Sequence, residues 1–392
     1  MTEDNFLLKQ YAATNPGSLP ISHNYLRPQF DKIKGAIFRD LGELVENGDF
    51  TLGKAVGKFE EKICAMEGVK HCLGVGNGTE AIFLGLKAMG IKPGDEVITT
   101  PYTFYATTAA IVACGAKPVF ADIQADYNIN PAEIEKKITD KTKAILPVHW
   151  AGLPCDMPEI KKIARTHGLS VVQDACHAIK AEIDGKSVAS FGDVACFSLH
   201  PLKNLNCWGD GGFMTVDSKE AYDKLSLLRN HGLVGRDTCE TWGYNSRLDA
   251  LQAIVANHLL GELDNITDSR INNAKRYDSL LKNVPEIKIP RRQDNVKQVY
   301  HLYVIRAEKR DDLQKHLISR GVDAKVHYPT PIHLQPAARD LGHKKGDFPI
   351  CEAICDSVIS LPVHEYITKN QQEFVADKIK GFYGRKANGE RK

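Results

Sequence analysis

The sequence predicts an α/β protein: a large unit with a mostly parallel central sheet between helices, followed by a smaller C-terminal α/β unit. Short apolar β-type runs alternate with helical stretches from residue 79 onward, the rhythm of βα units whose sheet is covered on both faces. The mostly apolar run Leu169-Ser170-Val171-Val172 leads into Gln173-Asp174, so a buried strand ends on a carboxylate. The 392 residues, 43% of them hydrophobic, suffice to fill two cores, which argues against disorder as the main state.

In chain order, periodicity predicts a helix over 79–89, a strand over 96–100, a helix over 107–114 and a strand over 118–121. A helix over 134–138, a strand over 144–148, a helix over 157–166 and a strand over 170–173 continue the alternation. Strands over 194–198 and 212–216 flank a loop, and a long amphipathic helix over 247–263 leads out of the large unit. A strand over 300–306 and a helix over 310–320 belong to the smaller unit. The expected organisation is an N-terminal arm (1–22), a large unit (23–263), a small unit (264–383) and a frayed polar tail (384–392).

Composition narrows the function classes. A net charge of +2 with dispersed basic residues does not describe a nucleic-acid surface. The acidic opening lacks a secretory apolar segment, and no stretch reaches membrane-spanning length. Ten cysteines without paired C-x-x-C spacing read as reduced thiols of a cytoplasmic protein, with no metal site implied.

Three features carry chemistry. Lys203 lies in an apolar, glycine-flanked loop, Leu199 to Gly212, where burial would lower an amine's pKa and make it nucleophilic; the alternative is an ordinary loop lysine. Asp174, at a strand's carboxyl end, should face a crevice, unless it caps a helix or turn. A carboxylate that keeps a pyridine nitrogen protonated, and a lysine that forms an imine with an aldehyde, are together what pyridoxal phosphate requires. Gly74, Gly76 and Gly78 form a turn opening a helix, where free N–H groups and the helix dipole can hold a phosphate. Position 79 is threonine, so the turn departs from a dinucleotide fingerprint.

The order and spacing of many short motifs extend this reading. They include Phe50-Thr51-Leu52-Gly53, Gly78-Thr79, Pro93-Gly94-Asp95-Glu96, Thr103-Phe104, Pro147-Val148-His149, Asp174-Ala175 and Phe197-Ser198. His200-Pro201 precedes Lys203, and Gly209-Asp210-Gly211-Gly212, Gly243-Tyr244-Asn245-Ser246-Arg247, Tyr300-His301-Leu302-Tyr303 and His327-Tyr328-Pro329 follow it. Together they resemble the DegT/DnrJ/EryC1/StrS sugar aminotransferases, of the fold type I pyridoxal phosphate enzymes, over most of the chain.

The resemblance implies that Lys203 bonds to the cofactor and then acts as acid–base catalyst, while Asp174 holds the pyridinium. It implies phosphate contacts from Gly78, Thr79, the Glu80 amide and the Ser198 hydroxyl. Phe104 matches the aromatic that stacks on the ring, though a core phenylalanine is the plain alternative. Asn245 matches a residue that reaches the phosphate of the neighbouring subunit, which implies a homodimer; otherwise it is a turn residue. His177 stands where many relatives carry a glutamine that touches the ring oxygen. Trp150-Ala151-Gly152-Leu153-Pro154 replaces a more polar segment, expected near the sheet's edge.

The implied reaction moves an amino group from an amino acid, glutamate foremost, to a keto or aldehyde sugar that is nucleotide-linked in most of the family. A free sugar acid of the octulosonate type is the alternative acceptor. A sugar dehydratase of this family would carry histidine in place of Lys203; here His200 reads as structural support. A nicotinamide-dependent oxidoreductase leaves the Asp174 and Lys203 pair unexplained, and a non-catalytic regulatory protein has no chemical need for it.

Overall fold

The computed structural model describes residues 20–23 and 26–387. The expected arm falls almost wholly outside them, as do residues 388–392.

Seven strands form the principal sheet among the described residues. They are β1 (His71–Val75), β2 (Glu96–Thr99), β3 (Lys117–Phe120), β4 (Thr142–Ile145), β5 (Ser170–Asp174), β6 (Val194–Ser198) and β7 (Gly212–Val216). Their spatial order is β1-β7-β6-β5-β4-β2-β3. The strands from β3 across to β6 pair in parallel, and β7 runs antiparallel to both β6 and β1. The register Val172↔Val194, Gln173↔Ala195, Asp174↔Cys196 aligns the carboxyl ends of β5 and β6. These strands are apolar on both faces because helices cover both.

One face packs on α1 (Lys34–Asn47) and α2 (Lys54–Glu67), where Phe59 meets Phe213 edge-on and Phe213 stacks on Phe197 at 4.6 Å. The other packs on α3 (Gly78–Ala88) and α4 (Tyr105–Ala113), whose Ile82, Leu86 and Ile111 meet Val97, Val172 and Met214. Helix α5 (Met157–His167) starts on an Asp156 side-chain cap and a proline in its first turn, both strong start signals.

Further helices are α6 (Lys219–Arg229), α7 (Ala250–Leu259), α8 (Leu263–Leu281), α9 (Arg310–Ile318), α10 (Pro349–Cys355) and α11 (Lys369–Ala387). A separate antiparallel sheet, β8 (Ile287–Lys288), β9 (Tyr303–Ala307) and β10 (Val358–Leu361), packs on α8, α9 and α11 around Tyr277, Tyr303, Leu313 and Ile379.

Most of the expected elements form within a few residues of their predicted bounds, and the differences have local causes. The helix predicted over 134–138 spans Pro131–Glu135, because the Asn130 side chain accepts the Ala132 N–H and Pro131 fits the first turn. The helix predicted over 247–263 begins at Ala250 and breaks into a 3₁₀ turn at Leu260–Glu262, after which α8 continues. The strand predicted from 300 begins at Tyr303. Tyr300 itself is left-handed at φ 47°, and the Tyr300 and His301 carbonyls accept from Arg270 instead of a strand. Helix α11 runs on to Ala387, four residues into the expected tail.

The fold has no room for a side chain at Gly212. A Cβ there would lie 2.5 Å from the Asn77 carbonyl carbon and 2.8 Å from the Gly78 nitrogen, both backbone atoms. Gly212→Ala is therefore expected to destabilise the protein by roughly 1–3 kcal/mol through overpacking, read as a lowered urea midpoint. An unchanged midpoint would show that α3 can retreat without cost.

Candidate active site

The site forms where the carboxyl ends of β5 and β6 meet the N-terminus of α3. Asn77 caps α3, its side-chain oxygen accepting the Glu80 N–H at 2.9 Å. The Gly78 and Thr79 amides lie in the first turn, where no intrahelical acceptor exists. A Cβ on Gly78 would fall 2.8 Å from Ser198 Cβ and 2.9 Å from Cys176 Sγ. The glycine thus lets the helix end touch both strand ends. Thr79 is exposed and Ser198 partly so, leaving their hydroxyls accessible.

Glu80 departs from expectation. Its amide is engaged by the Asn77 cap, and its carboxylate folds back over Gly76 to accept from the Ser246 hydroxyl. The open amides are those of Gly78 and Thr79.

Asp174 is buried at the end of β5. Its Oδ2 accepts the Thr107 hydroxyl at 2.7 Å and its Oδ1 the Cys176 N–H at 3.1 Å. Beside it, the His149 N–H donates to the Asp174 carbonyl at 3.1 Å. His149 is itself buried: Nδ1 accepts the Cys155 N–H at 3.0 Å, which makes Nε2 the donor to Gln173 Oε1 at 2.9 Å.

Lys203 projects from the loop between β6 and β7. That loop is pinned by Leu199 N–H to the Gly211 carbonyl, Cys207 N–H to the Leu199 carbonyl, and Asn204 Nδ2 to the Val299 carbonyl. Burial pushes the Lys203 amine below its ordinary value, against the opposing pull of Cys176 and Asp174.

A buried polar chain ties this loop to the second sheet. Asn206 Nδ2 donates to the Lys203 carbonyl and to Gln29 Oε1, both at 2.9 Å. Gln29 Nε2 reaches Glu365 Oε1 at 3.4 Å, Glu365 pairs with Arg270 at 3.5 Å, and Arg270 Nη1 donates to the Tyr300 and His301 carbonyls.

His177 lies against His301 in a tilted pair, ring centroids 4.2 Å apart, and meets Trp150 at 5.4 Å. Burial, then Lys203 and then His327, hold the His177 imidazole well below its usual value, so it is neutral. Its buried Nδ1 has no protein partner among the described residues. Trp150 and its neighbours follow β4, an interior strand, and lie over His177, not at the sheet's edge as expected. Asn128 fixes that turn by accepting the Trp150 N–H and donating to the Leu153 and Pro154 carbonyls.

Phe104 is half exposed at the start of α4, with Tyr105 and Tyr328 around it. His200 supports the lysine loop, its Nδ1 accepting the Leu202 N–H at 3.3 Å. Asn245 is exposed and bridges Asn230 at the base of a hairpin; its neighbour Tyr244 packs on Phe83 of α3. Sequence reasoning does not single out Thr107 or Cys176. The available signal for Thr107 is its place one helical turn after Phe104.

A model of the DegT/DnrJ/EryC1/StrS aminotransferase family matches residues 31–380. The chain belongs to that family. Relatives in the DegT/DnrJ/EryC1/StrS group include a "Pleiotropic regulatory protein" of Geobacillus stearothermophilus, 42% identical over 91% of this chain and 97% of that protein. The dTDP-3-amino-3,4,6-trideoxy-alpha-D-glucose transaminase of Streptomyces venezuelae is 36% identical over 91% of this chain and 94% of its own. The crystal structure of S. venezuelae DesV superposes with a TM-score of 0.89 at 36% identity, covering 91% of this chain and 97% of that one.

The protein is a pyridoxal-phosphate-dependent aminotransferase. The cleft fits that cofactor on its own chemistry. A phosphate needs open N–H groups and hydroxyls, an aldehyde needs an amine of lowered pKa, and a pyridine nitrogen needs a buried carboxylate. The helix end, the lysine loop and the end of β5 bring these together, with an unpartnered imidazole nitrogen nearby.

His149 gives the site a pH signature. Burial lowers its folded pKa from 6.5 to about 4, so the unfolded chain binds the extra proton between those values. Stability from this group is full above pH 6.5 and lost as pH falls toward 4, by up to about 3 kcal/mol. His149→Gln is expected to flatten the decline of the urea midpoint across that window; an unchanged slope would assign the titration to other groups.

Proposed function

We propose that this aminotransferase moves the amino group of an amino acid, glutamate as donor, onto a keto or aldehyde carbon of a nucleotide-linked sugar. The observation that carries the reading is the Lys203 amine, lowered by burial in a cleft shared with the Asp174 carboxylate and the end of α3. Bound pyridoxal phosphate supplies an electron sink for the carbanion at the donor's α-carbon.

In this reading Lys203 is the residue that would hold the cofactor's aldehyde carbon, and its Nζ would carry a proton to and from the substrate carbon. Asp174 keeps the pyridine nitrogen charged. The amides of Gly78 and Thr79 and the hydroxyls of Thr79 and Ser198 bind the phosphate, while Glu80 acts through its cap and its bond to Ser246. Phe104 would cover the ring, and His177, whose Nδ1 has no partner among the described residues, would serve the ring oxygen. Residues 23–263 would form the cofactor unit and 264–383 the smaller one. What supports that division is the clustering of these side chains in the first, with the second joined through Val299, which accepts from Asn204, and Glu365, which Gln29 reaches.

The sugar acceptor draws support from relatives named as a UDP-N-acetyl-3-dehydro-alpha-D-glucosamine 3-aminotransferase and a dTDP-3-amino-3,6-dideoxy-alpha-D-galactopyranose transaminase, at 36% and 38% identity. One relative's regulatory name favours no second reading, because a lowered lysine amine beside a buried carboxylate serves no regulatory contact. We read the assembly as a homodimer with Asn245 reaching the neighbour's phosphate. Support comes from exposed apolar residues: Phe38 and Val45 on one face of α1, Leu251 on α7, and Trp242, 91% exposed, in the hairpin beside Asn245. Ten free cysteines are consistent with the cytoplasm, and no helix among the described residues is long and apolar enough to cross a membrane.

Borohydride treatment of the yellow holoenzyme, followed by peptide mapping, is expected to place the modification on Lys203; a label on another lysine would remove the central assignment. Lys203→Ala should bind cofactor yet lose more than the ~10²–10⁴-fold typical of a lone acid–base group. Mixing Lys203→Ala chains with Asn245→Asp chains should restore activity, up to one intact site per heterodimer. Confirmed subunit exchange without recovered activity would mean the site is not shared.

A further inference from the structure

We propose that Thr107, backed by Thr103, is a positioning residue whose one-way hydroxyl chain aims the Asp174 carboxylate at the cofactor's ring nitrogen. The inference rests on the reading of Asp174 given above and adds two residues to it.

The direction of the chain follows from counting hydrogens. Thr107 Oγ1 lies 2.7 Å from Asp174 Oδ2, and Thr103 Oγ1 lies 2.7 Å from Thr107 Oγ1. A carboxylate only accepts, and a hydroxyl has one hydrogen, so the Thr107 hydrogen is committed to Asp174. Thr103 must then donate to Thr107. The donors run Thr103 to Thr107 to Asp174, an arrangement in which each bond polarises the next.

The chain is closed to water: Thr107 is fully buried, and Thr103 and Asp174 nearly so. The second carboxylate oxygen takes the Cys176 N–H at 3.1 Å, so the group is held from both sides and cannot rotate without losing a bond. Each oxygen retains lone-pair capacity for a further donor. Thr107 lies in the first turn of α4, which fixes the position of its Cβ, and of the two rotamers open to a helical threonine it takes the one that reaches Asp174. Phe104 is the N-cap of the same helix, so the covering aromatic and the carboxylate's support are joined through its first turn. The neighbouring His149 spends its Nε2 hydrogen on Gln173, leaving the side-chain support of Asp174 to Thr107.

Thr107→Val keeps the shape and removes the donor; Thr107→Ser keeps the donor. The test reconstitutes each variant with pyridoxal phosphate labelled with ¹⁵N in the ring, follows ring protonation by NMR across pH, and measures the single-turnover rate with glutamate. Thr107→Val is expected to release the ring proton at lower pH and slow the half-reaction roughly tenfold to a hundredfold, the loss expected for one hydrogen bond to a charged group. Cofactor affinity, set through the phosphate, should hold, and Thr107→Ser should recover both readouts. Thr103→Val, one bond further away, should shift the ring titration in the same direction by less. In Thr107→Val/Asp174→Asn the rate should match Asp174→Asn alone.

A wild-type ring titration in Thr107→Val, or losses that multiply in the double variant, would overturn the proposal. Should Thr107→Val fail to fold, Thr103→Val decides, and an unshifted titration there overturns it equally. An Asp174→Asn enzyme with normal ring protonation would instead defeat the underlying assignment of Asp174, a distinguishable outcome.

Discussion

The close approach of a helix end to strand ends is the constraint on which this structure depends. Helix α3 begins against the termini of β5, β6 and β7 with no space for a side chain at Gly78 or Gly212. That contact brings the unsatisfied amides of the helix within reach of residues at three strand ends. A sheet order in which β6 neighbours both β5 and antiparallel β7 then sets Asp174 and the lysine loop on adjacent strands. Chain segments more than a hundred residues apart meet because backbone can touch backbone there.

Burial acts in opposite directions on the groups gathered at that junction. It lowers the amine of Lys203 and the imidazoles of His177 and His149, and it raises the thiol of Cys176. Each change favours the neutral form. The carboxylate of Asp174, by contrast, is met by an N–H and an O–H donor. Both of its oxygens are thus engaged, and each keeps lone-pair capacity for a further donor.

Much of this was legible in the sequence where local patterns govern. The βα alternation, the carboxylate ending an apolar run and the lysine between two short strands all emerge from periodicity and residue type. The bounds that slipped did so where side-chain capping or tertiary bonds override periodicity, as at Asn130 and at Tyr300, whose carbonyl serves Arg270. Glu80 was readable as part of the phosphate turn, but not the capping of its amide by Asn77, which depends on the local Asn77 rotamer. Cys176 carries no distinguishing signal, and Thr107 only its place one helical turn after Phe104, because their significance lies in what the fold sets opposite them. Gln29 is invisible for the same reason: its partners stand at positions 206 and 365.

Gln29 also shows how narrow the choice of residue becomes at a position remote from chemistry. Its amide oxygen receives Asn206 while its amide nitrogen faces Glu365, so the side chain must be an acceptor at one end and a donor at the other. Glutamate would set two carboxylates against each other, and leucine would take one hydrogen-bond partner from each neighbour. Because Asn206 also holds the carbonyl of Lys203, and Glu365 holds Arg270, the tolerance of the single helical turn Leu26–Gln29 is governed from both sides at once. A substitution at position 29 would therefore be felt at positions 206, 365 and 270, which lie on one chain of polar contacts.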